Sequence, residues 1–168
     1  MTRRLPLLSP RARKAWLLAH VVLSVGWLGA GAANAVLAVY SLLAPTSRAL
    51  SPLRAHAAIH LIDTWVVIPA AFGSLATGIV VSVFTRWGLF VHWWVMAKLA
   101  LTVGVIAVST VGIGRWIEMS LAAGTDAGAH DVASAITTAA IGNLAAFVTM
   151  TALSIYKPRG TRARMRST

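Results

Sequence analysis

Apolar residues fall in four long runs separated by short polar stretches. The first covers about Ala15 to Leu43, the second about His60 to Phe84, most apolar from Trp65 onward. The third begins at Leu89 or Trp93 and ends near Ile113, and the fourth covers about Val132 to Tyr156. Each is near or above the ~20 residues that a helix needs to cross ~30 Å of hydrocarbon. The alternation of a lipid-facing strand is absent, and a backbone in lipid must bond to itself, so helices are the economical choice. The pattern predicts an all-α fold, an integral membrane four-helix bundle wound up-down-up-down. Sequential packing would set the first and third helices across a diagonal. Residues 1–14 and 157–168 read as basic tails around the bundle of 15–156.

The connections are too small for further domains. "APTSRALSPLRAH" holds Pro45 and Pro52 and should break the first helix; "AAGTDAGAHD" separates the third and fourth. At the start, a basic stretch, an apolar stretch and "GAANA" imitate a cleaved secretory signal. The apolar run continues through "VLAVYSLLA", which is too long for a signal, so an uncleaved span is expected.

Composition fits this reading. The 168 residues are 58% hydrophobic and 11% charged, against roughly 25% charged in soluble domains. With no cysteine, disulfides and thiolate chemistry are excluded. The net charge of +11 would by itself suggest nucleic acid, but its placement argues against that partner. Arg3, Arg4, Arg11, Arg13 and Lys14 precede the first run, and Lys157, Arg159, Arg162, Arg164 and Arg166 follow the last. Such flanks set topology and attract the anionic headgroups of a lipid bilayer. Arg86 lies on the same side as the tails, and Arg48, Arg54 and Arg115 lie on the other, so both termini are expected in the cytoplasm.

Several polar and small residues lie within the runs. Gly26 and Ala30, and Gly29 and Ala33, have the spacing that lets helices approach closely. Pro69 should kink the second helix by removing the bond to the Trp65 carbonyl. Asn34 and Asn143 are expected to bond between helices. Trp16, Trp87, Trp93, Trp94, Trp116, Tyr40 and Tyr156 read as interfacial aromatics. Lys98 can snorkel if the third span starts near Trp93. From Leu89 it would lie ~14 Å deep and need a partner.

The five histidines are the main chemical signal. His20 follows Lys14 by six residues and His92 follows Arg86 by six, so each lies ~9 Å beyond its last cytoplasmic charge. Neighbouring helices pack ~8–10 Å apart, which makes the diagonal roughly 14 Å. That is too far for two imidazoles to share one small ion, but near the ~12–13 Å between backbones that ligate opposite haem faces. His20 and His92 are therefore candidate axial ligands of a haem b, with Lys14, Arg86 or Lys98 placed for its propionates. On the opposite side, His56, His60 and Asp63 follow at i, i+4 and i+7, and His130 with Asp131 begins the fourth span. Their chemistry suits copper or zinc at His56, His60, Asp63 and His130. A second haem between His60 and His130, or a solvated helix start, is the other reading. No nucleophile–base triad, phosphate loop or carboxylate pair is legible, so an enzymatic role would rest on a cofactor.

"SPRARKAWLLAHVVLSVGWLGA" and "WVVIPAAFGSLATGIVVSVFTRWGLFVHWWVMAKLALT" resemble an uncharacterised actinobacterial family of small four-helix integral membrane proteins. More distantly they are similar to the membrane part of copper-resistance D-type proteins. The resemblance covers roughly Ser9 to Thr110, apart from the first outer loop. It falls on His20, Trp27, Gly29, Trp65, Pro69, Gly78, Trp87, Gly88, His92 and Lys98. It implies a bacterial inner-membrane location and favours His20 and His92 over the outer histidines. The family's acidic residue near the start of the second span is matched only by Asp63, in a shifted register. The leading expectation is a b-type haem protein in electron transfer or haem handling, with a membrane redox partner or a homo-oligomer. An accessory subunit without cofactor, or a copper- or zinc-handling protein using Met96 or the outer cluster, are the alternatives. Polar residues near the interior, Lys98, Asn34 and Asn143, look too few for a transport pathway.

Overall fold

The structure, a computed structural model, describes residues 8–43, 50–84 and 92–156. These form four long helices: α1 (Pro10–Leu43), α2 (Pro52–Val83), α3 (Trp93–Ala123) and α4 (Asp126–Tyr156). Local chemistry sets their ends. Ser9 and Ser51 each precede a proline, and their hydroxyls accept the N–H of Ala12 at 3.3 Å and of Arg54 at 3.5 Å. A serine cap followed by proline suits a helix start, because proline lacks an N–H that would be unpaired there anyway. Gly124 ends α3 with φ 64°, and Thr125 starts α4 by accepting the Gly128 N–H at 3.2 Å.

These ends correct several expected boundaries. Pro52 starts α2 rather than breaking α1, so α2 begins eight residues before the expected His60. The helix from Trp93 runs to Ala123, well past Ile113, and α4 begins at Asp126 rather than Val132. "AAGTDAGAHD" is thus mostly helix, turned at Gly124 and Thr125. Pro45, Arg48, Arg86, Trp87, Gly88, Leu89 and the basic tails before Leu8 and after Tyr156 lie outside the described residues.

Neighbouring helices are antiparallel. Ser24 bonds Ser74, and Asn34 bonds Asp63, between α1 and α2. Asn143 bonds Ser109 between α4 and α3, and Thr137 bonds the Ala38 carbonyl between α4 and α1. The helix α1 packs along α2 and α4, with α3 across from it, as sequential winding predicts. The core forms two clusters. In one, Trp27 meets Phe147 edge-on at 4.6 Å, with Val67, Val105 and Met150 around them. The other packs Ile59, Ile113, Ile117 and Ile136 against Ala35 and Ala38.

Two wide π-helical turns interrupt the regular helices, Asp63–Val67 in α2 and Val108–Ile113 in α3. In each, a backbone N–H bonds five residues back: Ile68 to Asp63 and Gly114 to Ser109. The irregularity expected from Pro69 therefore appears just upstream of it, because a residue without an N–H forces the bonding register to change there.

The outside is apolar, and several polar side chains lie inside with the apolar core. Leu18, Val22, Val25, Val36, Trp65 and Val148 are exposed, while Asn34, Ser41, His56, Ser74, Thr77, Ser120 and Thr137 are buried. Water would favour the opposite arrangement; lipid favours this one. All four helices are long and apolar enough to cross a membrane, which points to a multi-pass membrane protein. Trp94 departs from the expected aromatic belt by being buried, whereas Trp16 and Tyr156 are exposed. Gly26, Gly29 and Ala33 also face outward and do not bring α1 close to its neighbours.

Candidate functional site

His20 sits ten residues into α1, against α2. Its Nδ1 lies 3.0 Å from the Ser74 carbonyl oxygen and 3.1 Å from Thr77 Oγ1. A carbonyl only accepts, so Nδ1 carries the proton and donates it. Nε2 then keeps a lone pair, with no hydrogen-bond partner among the described residues. The ring edge rests on Gly78, where an added Cβ would stand 3.0 Å from Cε1. Ser24 and Ser74 close the same interface through a 2.7 Å bond.

His92 occupies a different position. It is the residue before α3, with extended backbone (φ −114°, ψ 129°), and its ring centroid lies 5.9 Å from that of Trp94. Its carbonyl accepts the N–H groups of Val95 and Met96, so it begins the helix. The expected equal depth of His20 and His92 does not carry into the helix registers: one stands ten residues inside its helix, the other at the N-cap. Lys98, six residues or ~9 Å further along α3, is the α3 cation within electrostatic reach of His20. Its ammonium donates to Ser154 Oγ, and Ser154 donates in turn to the Met150 carbonyl. The side-chain partner of Lys98 is thus a serine of α4. Lys14 is exposed.

The outer residues are dispersed. His56 is fully buried between Ser120 Oγ, 2.8 Å from Nδ1, and Ser41 Oγ, 3.0 Å from Nε2. Both ring nitrogens are engaged. His60, His130 and Asp131 are exposed, and Asp63 turns inward to Asn34. Among the described residues, no three His, Asp or Glu side chains gather at a metal-sized site. The i, i+4 spacing of His56 and His60 misleads because one faces the core and the other faces out.

Sequence reasoning missed the most developed polar site. Asn34 of α1, Asp63 of α2, Ser109 of α3 and Asn143 of α4 line one cavity in the centre of the bundle. Asn34 donates Nδ2–H to Asp63 Oδ1 at 2.7 Å, and Asn143 donates to Ser109 Oγ at 2.9 Å. Trp27, Val67, Val105 and Phe147 form much of the apolar wall. The signal available in the sequence was the meeting of levels: in antiparallel helices Asn34 faces Asp63, and Ser109 faces Asn143.

Comparison with protein families, with curated proteins and with solved structures finds no match. The chain is a bundle of four helices, each long and apolar enough to cross a membrane.

Proposed function

We propose that this is a bacterial inner-membrane protein that binds a b-type haem through His20, with His92 as second axial ligand, for electron transfer or haem handling. One observation carries the reading. Of the histidines, His20 combines an Nδ1–H tied to a backbone carbonyl with an Nε2 lone pair not spent on another bond. Histidines that ligate metals characteristically have this support: the outer bond fixes the tautomer and orients the ring. His56 lacks it because both of its nitrogens are bonded to serines. When bound, the haem would supply one-electron chemistry. The protein's part is to hold the imidazole against Gly78 and keep its proton on Nδ1. Lys98, or Arg86 from outside the described residues, is the basic partner for propionates.

Both termini are assigned to the cytoplasm because the basic tails outweigh Arg48, Arg54 and Arg115 on the other side. The absence of native cysteine makes this directly testable with single introduced cysteines and an impermeant thiol reagent. Labelling of tail cysteines in intact cells would reverse the assignment.

The haem reading is tested by expressing the protein with ample haem, purifying it in detergent and recording oxidised and reduced visible spectra. A Soret band lost in His20→Ala, and altered in coordination in His92→Ala, is expected. A colourless wild-type protein, or a band indifferent to His20→Ala, sinks the proposal. The outward Gly26, Gly29 and Ala33 face favours a second reading, an accessory subunit packing on a partner helix. Co-purification that depends on Gly29, from a colourless protein, would support it.

A further inference from the structure

We propose that the central cavity binds a single sodium-sized monovalent cation, held by Asp63 and Asn34 with Ser109 and Asn143 opposite. The argument starts from the donors and acceptors. Asn34 is 7% exposed, and its Oδ1 has no hydrogen-bond partner among the described residues. With Asp63 ionised, the amide must present Nδ2–H to the carboxylate oxygen it faces at 2.7 Å, which leaves Oδ1 as the free acceptor. Asp63 has Asn34 as its side-chain partner and no neighbouring Lys, Arg or His in ion-pair contact among the described residues. Asp63 and Asn34 therefore both line the same interior space. Buried acceptors in excess of donors are costly, and a cation relieves both at once.

Size and surroundings narrow the occupant. About 30 Å³ of the cavity is open to the centre of a water molecule, room for one or two water-sized species. That suits one small ion, with a water at most, and the all-oxygen set suits a hard cation. One carboxylate balances one positive charge, which favours a monovalent ion over calcium. Both π-helical turns open on this cavity: Asp63 and Val67 belong to one, Ser109 and Ile113 to the other. Such turns recur where a helix must aim side chains at a functional site. The site draws on every helix, so occupancy would bind the four together.

The test uses the full chain in detergent, melted in sodium chloride and in equal choline chloride across a range of pH. Sodium should raise the midpoint saturably by roughly 5 °C, as expected for a ligand well above its dissociation constant in a chain of this size. The rise should vanish in Asp63→Asn and shrink in Asn34→Ala. Direct binding of radioactive sodium to the wild-type protein serves if either variant does not fold. No sodium-dependent rise and no bound sodium overturn the proposal, as does an equal rise in Asp63→Asn. A stabilisation that follows pH but ignores sodium overturns it in favour of a protonated Asp63.

Discussion

His56 donates its Nε2–H to Ser41 Oγ at 3.0 Å, and in the neutral ring that burial favours this bond fixes the tautomer. Ser41 has already given its own proton to the Ala38 carbonyl at 2.8 Å, so it can only accept from the imidazole. Nδ1 is then the acceptor, and Ser120 donates to it at 2.8 Å. Thr137 donates to the same Ala38 carbonyl at 2.9 Å. A neutral histidine thus joins α1, α2, α3 and, through Ala38, α4, with every ring nitrogen satisfied. His56→Ala should destabilise the protein by about 3 kcal/mol, since it leaves a void and two unpaired serines. His60→Ala, at an exposed position, should stay within about 0.5 kcal/mol. Detergent unfolding of the two variants checks the contrast; equal losses would mean that the outer histidines act together.

Gly78 and Gly29 look alike in the sequence but should respond differently to a methyl group. At Gly78 an added Cβ would lie 3.0 Å from His20 Cε1, so the ring must shift or the helices part. At Gly29 nothing lies within 4 Å. Gly78→Ala should cost about 1–2 kcal/mol as an overpacked contact, and Gly29→Ala close to nothing. On the haem reading, Gly78→Ala should also weaken the Soret band without touching a ligand. Melting curves and spectra of the two variants decide this, and equal behaviour would show that His20 does not rest on Gly78.

The turn between α3 and α4 depends on Gly124, whose φ of 64° a side chain resists. Gly124→Val should cost about 1–2 kcal/mol, whereas Gly124→Asn, which tolerates this conformation, should cost less. The two midpoints measured side by side test whether the backbone, rather than space, sets the requirement, because nothing lies within 4 Å of the added Cβ.

The number and order of the helices were legible because hydrophobic length determines them, whereas their sequential packing was an assumption from short connections. The ends were less so, although Ser9-Pro10 and Ser51-Pro52 carry the same start signal and only Pro52's role as a breaker was considered. The central cavity was hidden for a physical reason. Asp63 was counted with the outer residues because regular helical spacing put it beside His56 and His60. The helix is still regular at Asp63, whose N–H bonds the Ile59 carbonyl, so Asp63 shares the inward face of His56 two turns away and meets Asn34, while His60 faces out. Apolar character left the third span starting at Leu89 or Trp93, and the helix starts at Trp93 with His92 at its N-cap. Apolar content alone does not reveal where a helix begins.

Lys98 and Ser154 offer a prediction in which the smaller change does more harm. The ammonium of Lys98 donates to Ser154 Oγ in a half-buried position between α3 and α4. Ser154→Ala deletes one oxygen but leaves a charge without its acceptor, a loss of about 1–2 kcal/mol. Lys98→Met deletes the charge itself and keeps an apolar stem of similar length, so it should cost less than about 1 kcal/mol or even stabilise. In the double variant the serine's loss should no longer matter, because the charge that needed it is gone. Unfolding of the single and double variants in detergent gives the coupling directly. If Ser154→Ala and Lys98→Met prove additive, the bond contributes nothing and Lys98 is solvated at the membrane surface. If they couple as described, the lysine is held inside the bundle, within reach of His20, and its charge is part of the environment that any ligand of that histidine must meet.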